Sequence, residues 1–341
     1  MTPKVLSDLG GRSGFYANRS FNCPLSPSKA LREFFMFKRF FKPPAVLVSL
    51  LLVVSIAPAT AANTATKYPL TISSGGYSTV ITKKPARIIS LSPSATESLF
   101  EIGAGKQVLA VDSLSNYPKS APITDLSAFE PNVEAIAALK PDLVVLSVDA
   151  MKSMTVKEAL EKLKIPVLME KAPENLAQVY KGIEVLGTAT DNSASAKKVT
   201  FKMASLIKSI INRAKTNGKV TFFHELDNTL YSVTSDTFIG KVYKDFGLIN
   251  IADKAAGADS YGYPQLSAEY LVKADPMVIF LADAEYGESA ATVKARAGWS
   301  GITAVAKKNV FALPNDIPSR WGPRLVDFYK YVAASLNRVK K

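Results

Sequence analysis

The chain has 341 residues, 48% hydrophobic and 21% charged, with a formal net charge of +13. That length and apolar content suit a soluble globular chain of about two domains. With one histidine, His224, and one cysteine, Cys23, the composition excludes a histidine-rich transition-metal site, and no disulfide, thiolate ligand or cysteine nucleophile is available beyond residue 23.

Residues 38–63 read KRFFKPPAVLVSLLLVVSIAPATAAN. A basic patch leads into an apolar run of roughly fifteen residues and then the small-residue site Ala59-Thr60-Ala61, the layout of an export signal cut after Ala61. The run is shorter than the roughly 20 residues a spanning helix needs. Residues 1–61 are therefore assigned to a leader and signal peptide, with Met1 and Met36 both open as starts, and the mature chain is expected in the periplasm. Eight Lys/Arg and two Asp/Glu fall in that leader, which leaves 34 against 27, or +7, for the rest. Scattered lysines with no basic, aromatic-interleaved run point to a solvated surface and to no nucleic-acid partner.

Residues 70–84, LTISSGGYSTVITKK, pattern as a hairpin turning at Gly75-Gly76. A buried strand follows at 87–91, and it runs into Ser92-Pro93-Ser94, where Ser94 and Glu97 have capping-box spacing at the start of a helix. A second strand is expected at 108–111, a helix at 156–163 and a strand at 167–169.

The strongest internal signal is a repeat. Residues 132–146, NVEAIAALKPDLVVL, return 135 positions later at 267–281 as SAEYLVKADPMVIFL. Each copy has a capping residue (Asn132, Ser267), a glutamate in the first turn (Glu134, Glu269), a proline (Pro141, Pro276) and an unbroken apolar run. The cap and glutamate favour a helix start, and the run favours a strand buried on both faces of a parallel sheet. Two copies imply two similar α/β lobes, with a site in the crevice between them.

Between the lobes, residues 174–186 read as helix despite Gly182. Residues 193–214 contain no Gly or Pro and carry an apolar stripe at helical spacing. At 1.5 Å per residue this helix would reach about 30 Å, enough to join the lobes stiffly. The boundaries that follow are a first lobe at 62–172, a helical linker at 173–217 and a second lobe at 218–341. The second lobe should open with a strand at 219–223, a helix at 237–246, the repeat, a strand at 310–313 and a terminal helix at 324–337. The fold class is α/β: two Rossmann-like lobes with parallel sheets joined by one long helix.

Catalytic signatures are absent. His224-Glu225 lacks the second histidine of a metalloprotease helix, Gly103-Ala104-Gly105-Lys106 lacks phosphate-loop spacing, and 257–262 is one residue too long for a nucleophile elbow. Glu225 with Asp227, and Asp283 with Glu285, read as solvated loop carboxylates, although paired carboxylates keep an exported enzyme open as a remote alternative. His224 reads as structural. No catalytic residue, metal site or cofactor is assigned. Aromatic and polar residues on cleft-side loops remain: Ser92, Phe129, Tyr261, Tyr263, Asp316, Arg320 and Trp321. Aromatic faces suit a large flat ligand, and the polar groups would orient it.

RIISLSPSATESLFEIG, NVEAIAALKPDLVV, ELDNTLYSV with DTFIGKVYKDFGLINIA, and YPQLSAEYLVKADPMVIFL before SRWGPRLVD together resemble the substrate-binding proteins of importers for cobalamin, iron-siderophores and haem. The resemblance runs from about residue 84 to 339. It implies two lobes on one long helix, delivery to an ABC permease with a cytoplasmic ATPase, and a monomer. It implies that Glu134 and Glu269 meet arginines of the permease. Phe129, the segment YPQLSAE, Asp316 and Arg320 resemble the cobalamin-binding branch, so a corrinoid is the first ligand expected. A ferric siderophore would use Arg320 and Lys171, and haem a tyrosine such as Tyr261 or Tyr263.

Overall fold

The computed structural model describes residues 66–257, 260–314 and 316–340, so the export signal lies outside the described residues. An antiparallel hairpin comes first, β1 (Leu70–Ser74) with β2 (Tyr77–Ile81), turning at Gly75 and Gly76, both at positive φ. The first lobe then runs β3 (Ile88–Leu91), α1 (Pro93–Glu101), β4 (Val108–Val111), α2 (Val133–Ala138), β5 (Leu143–Ser147), α3 (Ser153–Lys162) and β6 (Val167–Glu170). Two helices follow, α4 (Leu176–Ala189) and α5 (Ser193–Ala214). The second lobe runs β7 (Thr221–Glu225), α6 (Phe238–Asp245), β8 (Ile249–Asn250), α7 (Ala268–Ala274), β9 (Val278–Leu281), α8 (Ala290–Ala295), α9 (Thr303–Ala306), β10 (Val310–Ala312) and α10 (Leu325–Arg338).

Each lobe holds a four-stranded parallel sheet, ordered β4-β3-β5-β6 in the first and β8-β7-β9-β10 in the second. Renumbered within its lobe, each reads 2-1-3-4. The two lobes therefore share one topology, and the repeat supplies strand 3 of both.

Strand period explains why these runs do not alternate with polar residues. Ile88, Leu143 and Val145 pack on one face of the first sheet and Ile89, Val144 and Leu146 on the other, so both faces are covered. In the second sheet Phe222 and Phe280 face one way while Phe223, Ile279 and Leu281 face the other. The inner faces of both sheets join a single apolar core through Met203 and Ile207 of α5 and Phe328 and Val332 of α10. The lobes are thus welded along their backs, and the described residues form one compact unit.

The repeat has the same cap in both copies. Asn132 Oδ1 accepts from Ala135 N at 2.9 Å, and Ser267 Oγ accepts from Tyr270 N at 3.1 Å. Each helix ends in a left-handed residue just ahead of its proline, Lys140 at φ 48° and Asp275 at φ 43°. That residue reverses the chain into the strand.

Two expectations need correction. The cap of α1 is Ser92, whose Oγ accepts from Ala95 N, and not the Ser94–Glu97 box. Pro93 fixes the first helical position, so the helix starts ahead of Ser94. Glu225 is the last residue of β7 and fully buried, and Asp283 is 3% exposed, so neither is a solvated loop carboxylate. Some boundaries shift: the 156–163 helix begins at Ser153, the 174–186 helix spans Leu176–Ala189, and the 219–223 strand spans Thr221–Glu225. No helix among the described residues is long and apolar enough to cross a membrane.

Candidate functional site

In a 2-1-3-4 sheet the connections diverge on either side of strand 1, and the crevice outside the carboxyl ends of strands 1 and 3 is the usual ligand position. The carboxyl ends of β5 and β6 lead to Asp149 and to 172–174, and the loops of the second lobe bring Thr234, Asp236–Phe238 and Lys241, with 256–257 and 260–263, opposite them. Between them lies a cavity of about 610 Å³, with Trp321 in its wall.

The second-lobe wall is built under backbone constraint. Thr234 N donates to Gly262 O at 2.8 Å, and Ser232 N donates to Pro264 O at 2.9 Å, which ties the tyrosine loop to the strand-side segment. A Cβ on Gly262 would lie 2.7 Å from Thr237 Cγ2, and its φ is +87°, so only glycine fits this close approach. Tyr261 is held at φ 48°, in a left-handed region costly for an aromatic residue, and the residue is 89% exposed at the cleft. Tyr263 is 46% exposed beside it, and partial burial pushes its hydroxyl above the usual phenol range.

Trp321 packs edge-on against Phe238 with ring centroids 6.4 Å apart, and its backbone N donates to Ser94 Oγ at 3.0 Å. Its indole Nε1 is buried without a partner among the described residues. Lys241 Nζ crosses the cleft to donate to Glu174 O at 2.9 Å.

The expected site residues divide. Tyr261, Tyr263 and Trp321 line the one cavity. Asp316 and Arg320 lie off its wall, paired at 3.1 Å, and both reach the first lobe: Asn116 Nδ2 donates to Asp316 Oδ2 at 2.7 Å and Arg320 Nη2 to Leu114 O at 3.2 Å. Phe129 is 63% exposed, and its carbonyl accepts from Met151 N, close to Asp149 of the wall. Ser92 is buried, engaged as a cap and as a donor to Glu170 Oε2. Glu134 and Glu269 are exposed in the first turns of α2 and α7. Lys241, Phe238 and Asp149 also line the cleft and carry no sequence signal, because only the fold places them there.

Away from the cavity wall, ionic and polar clusters are buried among the described residues. Arg324 Nη2 lies 2.5 Å from Glu97 Oε1 between the lobes. Burial pushes the Glu97 carboxyl up, and Arg324 pulls it back down. At the carboxyl end of β7, Arg296 donates to both oxygens of Glu225, at 2.5 and 2.7 Å, and to Glu288 at 2.8 Å. Burial pushes Glu225 up to about 7 against this pairing. On the other face of β7, His224 Nδ1 lies 2.9 Å from Tyr243 Oη, and burial pushes its pKa down to about 3, so it is a neutral core residue. Among the described residues no group of His, Cys, Asp or Glu has the arrangement of a metal site.

The family model described as "Periplasmic binding protein" matches residues 88–317. An uncharacterized ABC transporter substrate-binding lipoprotein of Bacillus subtilis is 33% identical over 279 residues, covering 79% of this chain and 86% of its own. A cobalamin-binding protein of Halobacterium salinarum is 29% identical over 277 residues, covering 78% and 73%. A crystal structure of a possible iron-binding, periplasmic solute-binding protein from Staphylococcus epidermidis superposes with a TM-score of 0.64 at 26% identity, covering 74% of this chain and 99% of that one.

Proposed function

We propose that this chain, which belongs to the periplasmic binding protein family of ABC-importer substrate-binding proteins, captures cobalamin or a related corrinoid between its lobes and hands it to a membrane permease. The observation that carries this is the interlobe cavity of about 610 Å³ walled by Tyr261, Tyr263 and Trp321. Its size falls within the range of about 300–1,000 Å³ usual for ligand clefts. The aromatic faces of Phe238, Tyr261, Tyr263 and Trp321 suit a broad flat macrocycle better than a small ion, and Asp149, Glu174, Asp236 and Lys241 in the same wall offer polar groups to its periphery. The 29% identity to a protein named for cobalamin supports the same ligand.

Delivery fits the placement of the repeat. In a parallel sheet each connecting helix runs back against the strands, so its N-terminus stands at their carboxyl edge, the edge that bears the cleft. Glu134 and Glu269 open α2 and α7 there, exposed, one on each lobe. Two carboxylates held at fixed separation on a rigid frame would set register on a permease through its arginines, although each pair alone is weak.

A ferric siderophore is the second reading. Lys241 in the cleft wall and Lys171 at its margin favour an anionic chelate, and the 26% identical structural relative is named as possibly iron-binding. Calorimetry of the purified protein with cyanocobalamin, a ferric hydroxamate, a ferric catecholate and haem separates the ligands. One-to-one binding of cyanocobalamin with no turnover is expected. Failure of all four to bind overturns the proposal.

A further inference from the structure

A second cavity, of about 330 Å³, adjoins the first and shares Ala172, Pro173 and Trp321 with it. It lies at the carboxyl end of β6, beneath the Gly75–Gly76 turn and against one side of α4. Its wall contains a glycine with no packing reason to be one. Gly182 sits in the middle of α4, where glycine costs about 0.5–1 kcal/mol relative to alanine. Other helical glycines here have a steric reason: a Cβ on Gly187 would fall 2.4 Å from Ala196 Cβ, and one on Gly240 would fall 1.9 Å from Thr234 O. At Gly182 nothing lies within 4 Å of the added atom. What the missing side chain leaves is room in the cavity it lines.

The same wall holds polar atoms without partners among the described residues. Glu170 is half-buried, and its Oε2 accepts from Ser92 while Oε1 has no partner among the described residues. Burial pushes this carboxyl up to about 7, so near neutrality it can donate as well as accept. Lys171 is engaged with Glu174, but Lys181, at the rim, is exposed and has no ion-pair partner among the described residues. The orphaned Trp321 Nε1 belongs to the wall between the two cavities.

We propose that this chamber is a second subsite, receiving a flexible polar arm that hangs from the chelate in the main cleft. Glu170 meets a hydroxyl or amide of the arm, Lys181 meets a phosphate or carboxylate on it, and Gly182 keeps the space open. The arm is thus nucleotide-like in chemistry: hydroxylated, anionic and too slender to need aromatic walls. This rests on the corrinoid reading above, in which the ring occupies the larger cavity.

The test compares cyanocobalamin, which carries a ribose-phosphate arm, with dicyanocobinamide, the same ring without it, by calorimetry on the wild type, Gly182→Leu and Lys181→Glu. Gly182→Leu should weaken cyanocobalamin at least about tenfold and leave dicyanocobinamide within about twofold, with no fall in Tm because leucine is the better helix former. Lys181→Glu, an exposed change, should weaken cyanocobalamin alone by about threefold, the scale of a solvent-screened ion pair. If the wild type binds both and Gly182→Leu matches it on both, the subsite is overturned and the corrinoid reading stands. If the wild type binds neither, both are overturned.

Discussion

The Arg324 guanidinium meets the Glu97 carboxylate at 2.5 Å and also lies 4.3 Å from the Tyr117 ring centroid, so one side chain fastens the second lobe to two segments of the first. Glu97 is only 3% exposed. Beside it, a Cβ on Gly322 would lie 3.1 Å from Ser94 O, which shows how closely the crossing segment is pressed on α1. Arg324→Ala strands a carboxylate whose side chain is only 2% exposed and should cost about 3 kcal/mol, whereas Glu97→Gln strands the guanidinium, which is 17% exposed and still lies over the Tyr117 ring, and should cost less. Urea unfolding of both variants checks the ordering.

Glu170 gives stability a pH dependence. Its folded pKa of about 7 exceeds the ordinary 4.5, so the folded state holds the proton more tightly than the unfolded chain does. Stability from this group is complete below pH 4.5 and declines as pH rises to about 7. Glu170→Gln, which can still accept from Ser92, should flatten that decline and raise Tm at pH 8, by an amount worth at most about 3 kcal/mol. An unchanged Tm profile between pH 4.5 and 8 would contradict the assignment.

His224 acts in the opposite sense. Its folded pKa is held near 3 against an ordinary 6.5, so its contribution is present above 6.5 and is lost as pH falls through that window. As the sole histidine its ring protons give unambiguous NMR signals, which should show no titration between pH 5 and 8 while the protein is folded.

Glu134→Ala with Glu269→Ala should abolish ligand uptake in cells while leaving binding intact. The expected stability change is below about 1 kcal/mol, the scale of a first-turn carboxylate on a helix dipole. By contrast Ser267→Ala removes the cap of α7 and should cost about 1 kcal/mol with binding unchanged. Uptake that survives the double change removes the docking role.

Much of the frame is readable from local chemistry. The caps Asn132 and Ser267, the proline stops and the unbroken strands are properties of neighbouring residues, so the repeat announces two like lobes. The span 193–214 is set by its lack of Gly and Pro and by its stripe, and α5 occupies it without change. The partners of buried charges are not readable in this way. Glu225 looks like a loop carboxylate until β7 carries it to Arg296, 71 residues onward, and Ser94 looks like a cap until Trp321 N takes its hydroxyl. The short β8 and the helices α8 and α9 also escaped, being too brief for a periodic signal.

The elements and their duplication are legible in local spacing, because helix caps, stops and strand burial depend on runs of a few residues. Which side chains meet at the cleft follows from the packed fold: Tyr261, Tyr263 and Trp321 share one cavity, Asp316 and Arg320 pair with each other and with the first lobe, and Gly182 opens on a second chamber. Those contacts join residues up to about 200 positions apart. Their energy is collected only when both sheets have packed onto α5 and α10, so no local pattern can encode them.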